Sequence, residues 1–98
     1  MIEPNPTIST ATRIARPEDL LFTEVDGEAV LMSVENGRYY GLDPIGTEIW
    51  RRMEHPTRVA ALIDGLRGNY DVDPDTIETE VLIFLNRMME QELIEIHP

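Results

Sequence analysis

The chain has 98 residues, 42% of them hydrophobic, which is room for one domain with a small core. Nineteen Asp and Glu stand against eight Arg and no Lys, a net charge of −11 that argues against a nucleic-acid backbone or an anionic membrane as partner. With no Cys, disulfides, Cys-ligated zinc, iron–sulfur clusters and Cys nucleophiles are excluded, and no apolar run approaches the roughly 18 residues of a membrane span.

The first sixteen residues are rich in Pro, Thr, Ser and Asn, lack periodicity and contain no apolar stretch of the kind a secretory signal needs. They read as a mobile tail over 1–16 ahead of a domain over 17–98, with one β-prone spot around Ile14. A soluble, cytoplasmic protein is the expectation.

Residues 20–42 read as three strands. Segments 20–25 and 29–34 are short and apolar, and the dipeptides Asp26-Gly27 and Asn36-Gly37 follow them. Both dipeptides favour the two-residue type I′ turn, whose two central residues need positive φ. Two such turns give an antiparallel meander whose third strand is 38–42. That register sets Glu35 opposite Arg38, Leu31 opposite Leu42 and Val34 opposite Tyr39. It leaves both sheet faces partly apolar: Phe22, Leu31, Tyr40 and Leu42 on one, Leu21, Val30, Met32, Val34 and Tyr39 on the other. A sheet with one watery face alternates more cleanly. Helices cover one face, and the tail, a second copy in a homodimer, or another partner is left to cover the other.

The remainder is helical. Asp43-Pro44 is an N-cap followed by Pro at the first helical position. The helix runs to about Glu54 with Ile45, Ile49, Trp50 and Met53 on its apolar face, and His55-Pro56 stops it. Thr57 caps a second helix ending near Gly68, with Val59, Leu62, Ile63 and Leu66 as its stripe. Asp73-Pro74 repeats the cap signature for a third helix to about Glu92, and 93–96 reads as a short extended tail. The order βββααα predicts a small α+β domain, a three-stranded antiparallel sheet followed by three helices.

Catalytic and metal chemistry finds little support. Asp71, Asp73 and Asp75 have the opening spacing of a calcium loop, but Thr76 and Leu82 stand where such a loop needs Gly and Glu. The acids read instead as helix-capping charge. His55 and His97 have no second ligand at metal or catalytic spacing, Ser9 and Ser33 lack a nucleophile setting, and no phosphate-binding glycine pattern occurs. Neither catalytic residues nor a metal or other cofactor is implied, and the chain is expected not to be an enzyme.

Two features have the character of a binding surface. The third strand is a sheet edge with one charge, two aromatics and an inner glycine, in the run Arg38-Tyr39-Tyr40-Gly41-Leu42. It reads equally well as an ordinary edge or as a docking edge for another strand. The third helix has a core stripe of Ile77, Val81, Phe84, Leu85 and Met88 spanning about 100°. Leu82 and Met89 widen it on one flank, beside Glu78, while Ile83 lies apart. This extra stripe lines a groove or packs under the first helix or the tail.

Residues 29–94 resemble the PqqD-like family, the stand-alone peptide-recognition domains of ribosomal-peptide modification pathways. The resemblance rests on Val30-Leu31-Met32, on the run from Glu35-Asn36-Gly37-Arg38-Tyr39-Tyr40 to Gly41-Leu42-Asp43, and on Gly46 and Ile49-Trp50. It continues through Val59-Ala60-Ala61-Leu62, Leu66, Tyr70-Asp71-Val72-Asp73, Val81, Phe84-Leu85 and Leu93-Ile94. It implies a winged-helix-like fold that binds the leader segment of a precursor peptide and delivers it to a leader peptidase or other modifying enzyme. The leader would add as a strand to the third strand and lie in a groove toward the third helix. Main-chain bonds along Arg38, Tyr39, Tyr40, Gly41 and Leu42 would hold it. Tyr39, Tyr40, Leu82, Leu85 and Met89 would receive its apolar side chains, and Glu78 a basic or polar one. The Tyr39-Tyr40 and Ile49-Trp50 pairs look closest to members serving lasso-peptide biosynthesis. The chain departs from many relatives at Gln91-Glu92, where a Gly precedes the final Leu. A winged-helix DNA-binding regulator and a dimerising interaction module are the competing readings, and the charge opposes the first of them.

Overall fold

The computed structural model describes residues 8–68 and 73–97. In chain order the elements are β1 (Arg13–Ala15), β2 (Leu20–Val25), β3 (Glu28–Ser33), β4 (Tyr39–Gly41), α1 (Pro44–Arg51), β5 (Thr57–Arg58), α2 (Val59–Arg67), α3 (Pro74–Glu90) and β6 (Glu95–Ile96). The α+β class, the antiparallel meander β2-β3-β4 and the three helices are those read from the sequence. A second antiparallel sheet, in the order β5-β1-β6, is added to them.

The first turn is the expected one. Asp26 and Gly27 both have positive φ, 53° and 83°, and close the β2–β3 hairpin as a type I′ turn. The second turn differs. Only Gly37 is left-handed, at φ 71°. Its N–H donates to the Ser33 carbonyl (2.8 Å), and the Ser33 N–H donates to Arg38 O (2.9 Å). The Asn36 side chain accepts from the Arg38 N–H at 2.9 Å, a local bond that favours one helical turn over type I′ geometry. The loop therefore holds four residues, and Tyr40 and Tyr39 pair with Leu31 and Met32. Glu35 does not face Arg38 across the strands, nor does Leu31 face Leu42. The displacement is two residues, so every side chain keeps its expected face.

The inner face of this sheet carries the fully buried Ala29 and Leu31 and packs on α1. The Ala29 N–H donates to Thr47 Oγ1 (2.8 Å), and Phe22 meets Trp50 edge-on at 5.6 Å between ring centroids. Asp43 caps α1, accepting from the Gly46 N–H at 2.6 Å. The helix ends at Arg51, earlier than expected, and Ile45 is half exposed rather than in the core. Glu24 accepts from Arg51 across the edge of the sheet, and this bond holds the Glu24 carboxyl below its ordinary range.

Residues 8–16 are not a tail in this structure. Ile8 and Ile14 are 2% and 0% exposed, and β1 is the central strand of the second sheet. The physical reason lies partly in α2. Thr57 belongs to β5 and does not cap that helix, and its N-cap, Arg58, makes no side-chain capping bond. The N–H groups of Val59 and Ala60 donate instead to the carbonyls of Thr12 and Thr10, both at 2.9 Å, so the N-terminal segment supplies acceptors that the helix start lacks. Arg16 then lies over the rings of Phe22 and Trp50, at 4.7 and 4.6 Å from their centroids, and donates to the Trp50 carbonyl. Burial lowers the Arg16 pKa, and nearby Glu54 partly opposes the shift.

Candidate functional site

β4 is an open edge of its sheet. The bonds from Ser33 N–H to Arg38 O and from Leu42 N–H to Ala29 O show that residues 38, 40 and 42 turn their main-chain groups toward β3. By the alternation of an antiparallel ladder, Tyr39 and Gly41 point theirs outward. Tyr39 is 71% exposed, and a Cβ placed on Gly41 would meet nothing within 4 Å, so no described side chain crowds the outer face of the strand at either residue. The Tyr40 ring lies half-buried against the core.

Past Leu42 the chain turns through Asp43 into α1, and there a groove of about 360 Å³ opens between α1 and α3. Ile49, Ile77 and Val81 form part of its lining, Ile45 and Ile83 are large exposed apolar side chains on it, and Glu80 and Arg87 bring opposite charges. Gly46 shapes it. A Cβ there would stand 3.0 Å from Cζ of Phe84, so the bare glycine lets the Phe84 ring lie against α1. The Asp43 cap fixes the start of α1 and hence the angle at which Ile45 enters the groove. Chemically this is a main-chain hydrogen-bonding edge running into an apolar slot, an arrangement suited to an extended peptide.

The sequence-derived candidates separate into two groups. Arg38, Tyr39, Tyr40, Gly41 and Leu42 lie together on and beside β4, though the Leu42 side chain is buried and available only through its backbone. The helix candidates lie elsewhere. Leu85 is 0% exposed and belongs to the core. Glu78 is 3.8 Å from Arg67 on α2. Leu82 and Met89 pack half-buried on the same flank, where Asn86 accepts from the Ile8 N–H at 3.0 Å. That flank faces α2 and the N-terminal segment, and the groove is on the other. The groove residues that were not among the candidates are Ile45, Gly46, Ile83, Phe84 and Arg87. The available signals were Ile83, outside any core stripe, and a glycine inside the first helix.

Among the described residues no group of three or more His, Asp or Glu could hold a metal ion, and no helix is long and apolar enough to cross a membrane. The family profile described as coenzyme PQQ synthesis protein D (PqqD) matches residues 28–94. The chain belongs to the PqqD family. Its matched span begins at β3, so β1 and β2 lie outside it. A solved structure described as TbiB1 in complex with the TbiA(beta) leader peptide is 31% identical to this PqqD-family chain. The match covers 83% of this chain and 94% of that one, with a TM-score of 0.78. No curated protein matches the chain.

Proposed function

We propose that this PqqD-family chain is a non-catalytic adaptor for ribosomally synthesised precursor peptides. It binds the leader segment by strand addition to β4 and presents it to a modifying enzyme or leader peptidase, in lasso-peptide biosynthesis by the likeness of its Tyr39-Tyr40 and Ile49-Trp50 pairs. The observation that carries the reading is the open edge at Tyr39 and Gly41 leading directly into the groove beside Phe84. The 31% identical relative solved with a leader peptide supports it. In this reading the outward groups of Tyr39 and Gly41 give sequence-tolerant affinity. The slot between Ile45, Ile83 and Phe84 selects an apolar leader residue, and Glu80 and Arg87 select its charged or polar neighbours. Leu82, Leu85 and Met89 support α3 from the other side.

The experiment is fluorescence anisotropy with labelled leader peptides from precursor genes adjacent to that of this chain. Binding tighter than about 10 μM, near −7 kcal/mol, and weakened by both Gly41→Pro and Ile83→Glu, is the expected result. An absence of binding by every such leader overturns the proposal.

A further inference from the structure

Among the described residues the outer face of the meander has no partner. Leu21, Val25 and Tyr39 are 54–71% exposed there, with Val30 and Met32 half-buried between them. Single exposed apolar residues are ordinary, but a contiguous set across three strands marks an interaction surface. Of the 1–16 tail that was one candidate occupant, residues 8–16 are accounted for, because Arg13–Ala15 form the central strand of the second sheet and Ile8 is bonded to Asn86 on α3, and residues 1–7 lie outside the described residues.

Charge decides between the other occupants. Between residues 18 and 37 the chain holds six acids and no base. Glu24 is bonded to Arg51 on the inner side. The other five are exposed and in no ion pair among the described residues. Leu20 pairs with Ser33 and Val25 with Glu28, so Glu18, Asp19 and Glu35 lie toward one end of the face, where the exposed Arg38 offsets one of the three charges, and Asp26 and Glu28 at the other. An apolar centre between two acidic ends repels a second copy of itself and an anionic membrane alike. It fits a protein surface with an apolar centre and Arg or Lys at its ends.

We propose that the outer face of β2-β3-β4 is the docking surface for a maturation enzyme with an apolar patch flanked by basic residues. The inference rests on the adaptor reading and adds the face on which the enzyme sits. It leaves the β4 edge and the α1–α3 groove free, so leader and enzyme bind at once. The acidic ends speed encounter, and the apolar centre slows release.

The probe is the purified maturation enzyme encoded beside this chain, immobilised for biolayer interferometry. Two variants leave β4 and the groove untouched: Leu21→Ser/Val25→Ser removes apolar area, and Glu18→Arg/Glu28→Arg reverses charge at both ends. Each is expected to weaken enzyme binding by about tenfold or more while leader anisotropy stays within about twofold of wild type. The charge variant is also expected to flatten the salt dependence of the association rate. Enzyme binding unchanged in both variants, or absent in the wild type, overturns the proposal. So does a wild-type dimer in sedimentation equilibrium that Leu21→Ser/Val25→Ser dissolves, or binding to phosphatidylcholine–phosphatidylglycerol vesicles that it abolishes. Failure of the adaptor reading itself shows separately, as loss of all leader binding.

Discussion

Gly46 and Phe84 are in contact only because Gly46 has no side chain: a Cβ there would stand 3.0 Å from Phe84 Cζ and 3.1 Å from Asp43 Oδ1. Gly46→Ala gains up to about 1 kcal/mol of helix propensity, while overpacking typically costs about 1–3 kcal/mol. The expected net is a loss of about 1 kcal/mol in urea unfolding, with the ring displaced into the groove and leader affinity reduced. In the Gly46→Ala/Phe84→Ala double variant the clash with the ring is gone and only the approach to Asp43 Oδ1 remains, so the two stability changes are expected to be non-additive. Additive changes would show that the two residues do not press on each other.

Gly41→Pro tests the edge without touching the ladder. The Gly41 N–H points away from β3, so proline removes an outward donor and no internal bond. Stability is expected to change by less than about 1 kcal/mol, and leader affinity to fall about tenfold or more. Tyr40→Pro is the contrasting variant. It removes a donor that faces β3 and is expected to cost at least about 2 kcal/mol by urea unfolding.

The difference between those two positions was only partly legible beforehand. Asp43-Pro44 and Asp73-Pro74 announced two helix starts because capping is local chemistry, and Asp26-Gly27 announced its turn for the same reason. Asn36-Gly37 misled because the Asn36 side chain bonds the Arg38 N–H and stabilises a four-residue loop of the same composition. The second sheet left only faint local traces, the β-prone spot at Ile14 and the extended 93–96, and none of its pairing. Its strands are two or three residues long, too short for a period-2 pattern, and they pair across the chain, Ile14 with Thr57 and with Ile96. The groove-facing flank of α3 was misjudged because helical periodicity gives spacing but not which neighbour occupies each flank. Glu78 and Asn86 bind α2 and the N-terminal segment, which turns Ile83 and Phe84 toward α1.

Arg16 ties the N-terminal segment to the core through Phe22 and the chain's single Trp. Arg16→Ala removes a partly desolvated cation–π contact and a bond to the Trp50 carbonyl, and is expected to cost about 1–2 kcal/mol. Arg16→Lys recovers part of this, because an ammonium lacks the planar stacking surface. Urea unfolding followed by Trp50 emission reads both changes, and Arg16→Ala is expected to shift the native emission as water reaches the ring. Wild-type stability in Arg16→Ala would assign the anchoring of residues 8–16 to Ile8, Ile14 and the segment's backbone bonds.

The Arg51–Glu24 pair gives an acid-side prediction. The hydrogen bond from Arg51, reinforced by its charge, depresses the Glu24 pKa in the folded state. The folded protein thus holds that proton less tightly than the unfolded chain. The pair's contribution is present above the ordinary glutamate pKa and is lost as pH falls through the lowered folded value. Stability is expected to drop less between about pH 5 and 3 in Glu24→Gln than in the wild type. An NMR titration placing the Glu24 carboxyl at or above its ordinary value would contradict this.

Glu92 occupies a position better suited to glycine. Its φ is 61°, its N–H donates to Met89 O (3.1 Å), and the next N–H, of Leu93, donates to Met88 O (2.9 Å). These are the paired bonds of a Schellman C-cap, closed by the buried side chains of Leu93 and Met88. A left-handed conformation costs a residue with a Cβ about 1–2 kcal/mol, while glycine loses about 0.5–1 kcal/mol more backbone freedom on folding. Glu92→Gly is therefore expected to stabilise the domain by up to about 1 kcal/mol, raising the melting temperature by roughly 4–8 °C at most. Glu92→Ala keeps the Cβ and is expected to leave the melting temperature nearly unchanged. Equal effects from the two substitutions would attribute the change to the lost carboxylate instead of the backbone. Glu92 belongs neither to β4 nor to the lining of the groove, so leader affinity is expected to match wild type in both variants.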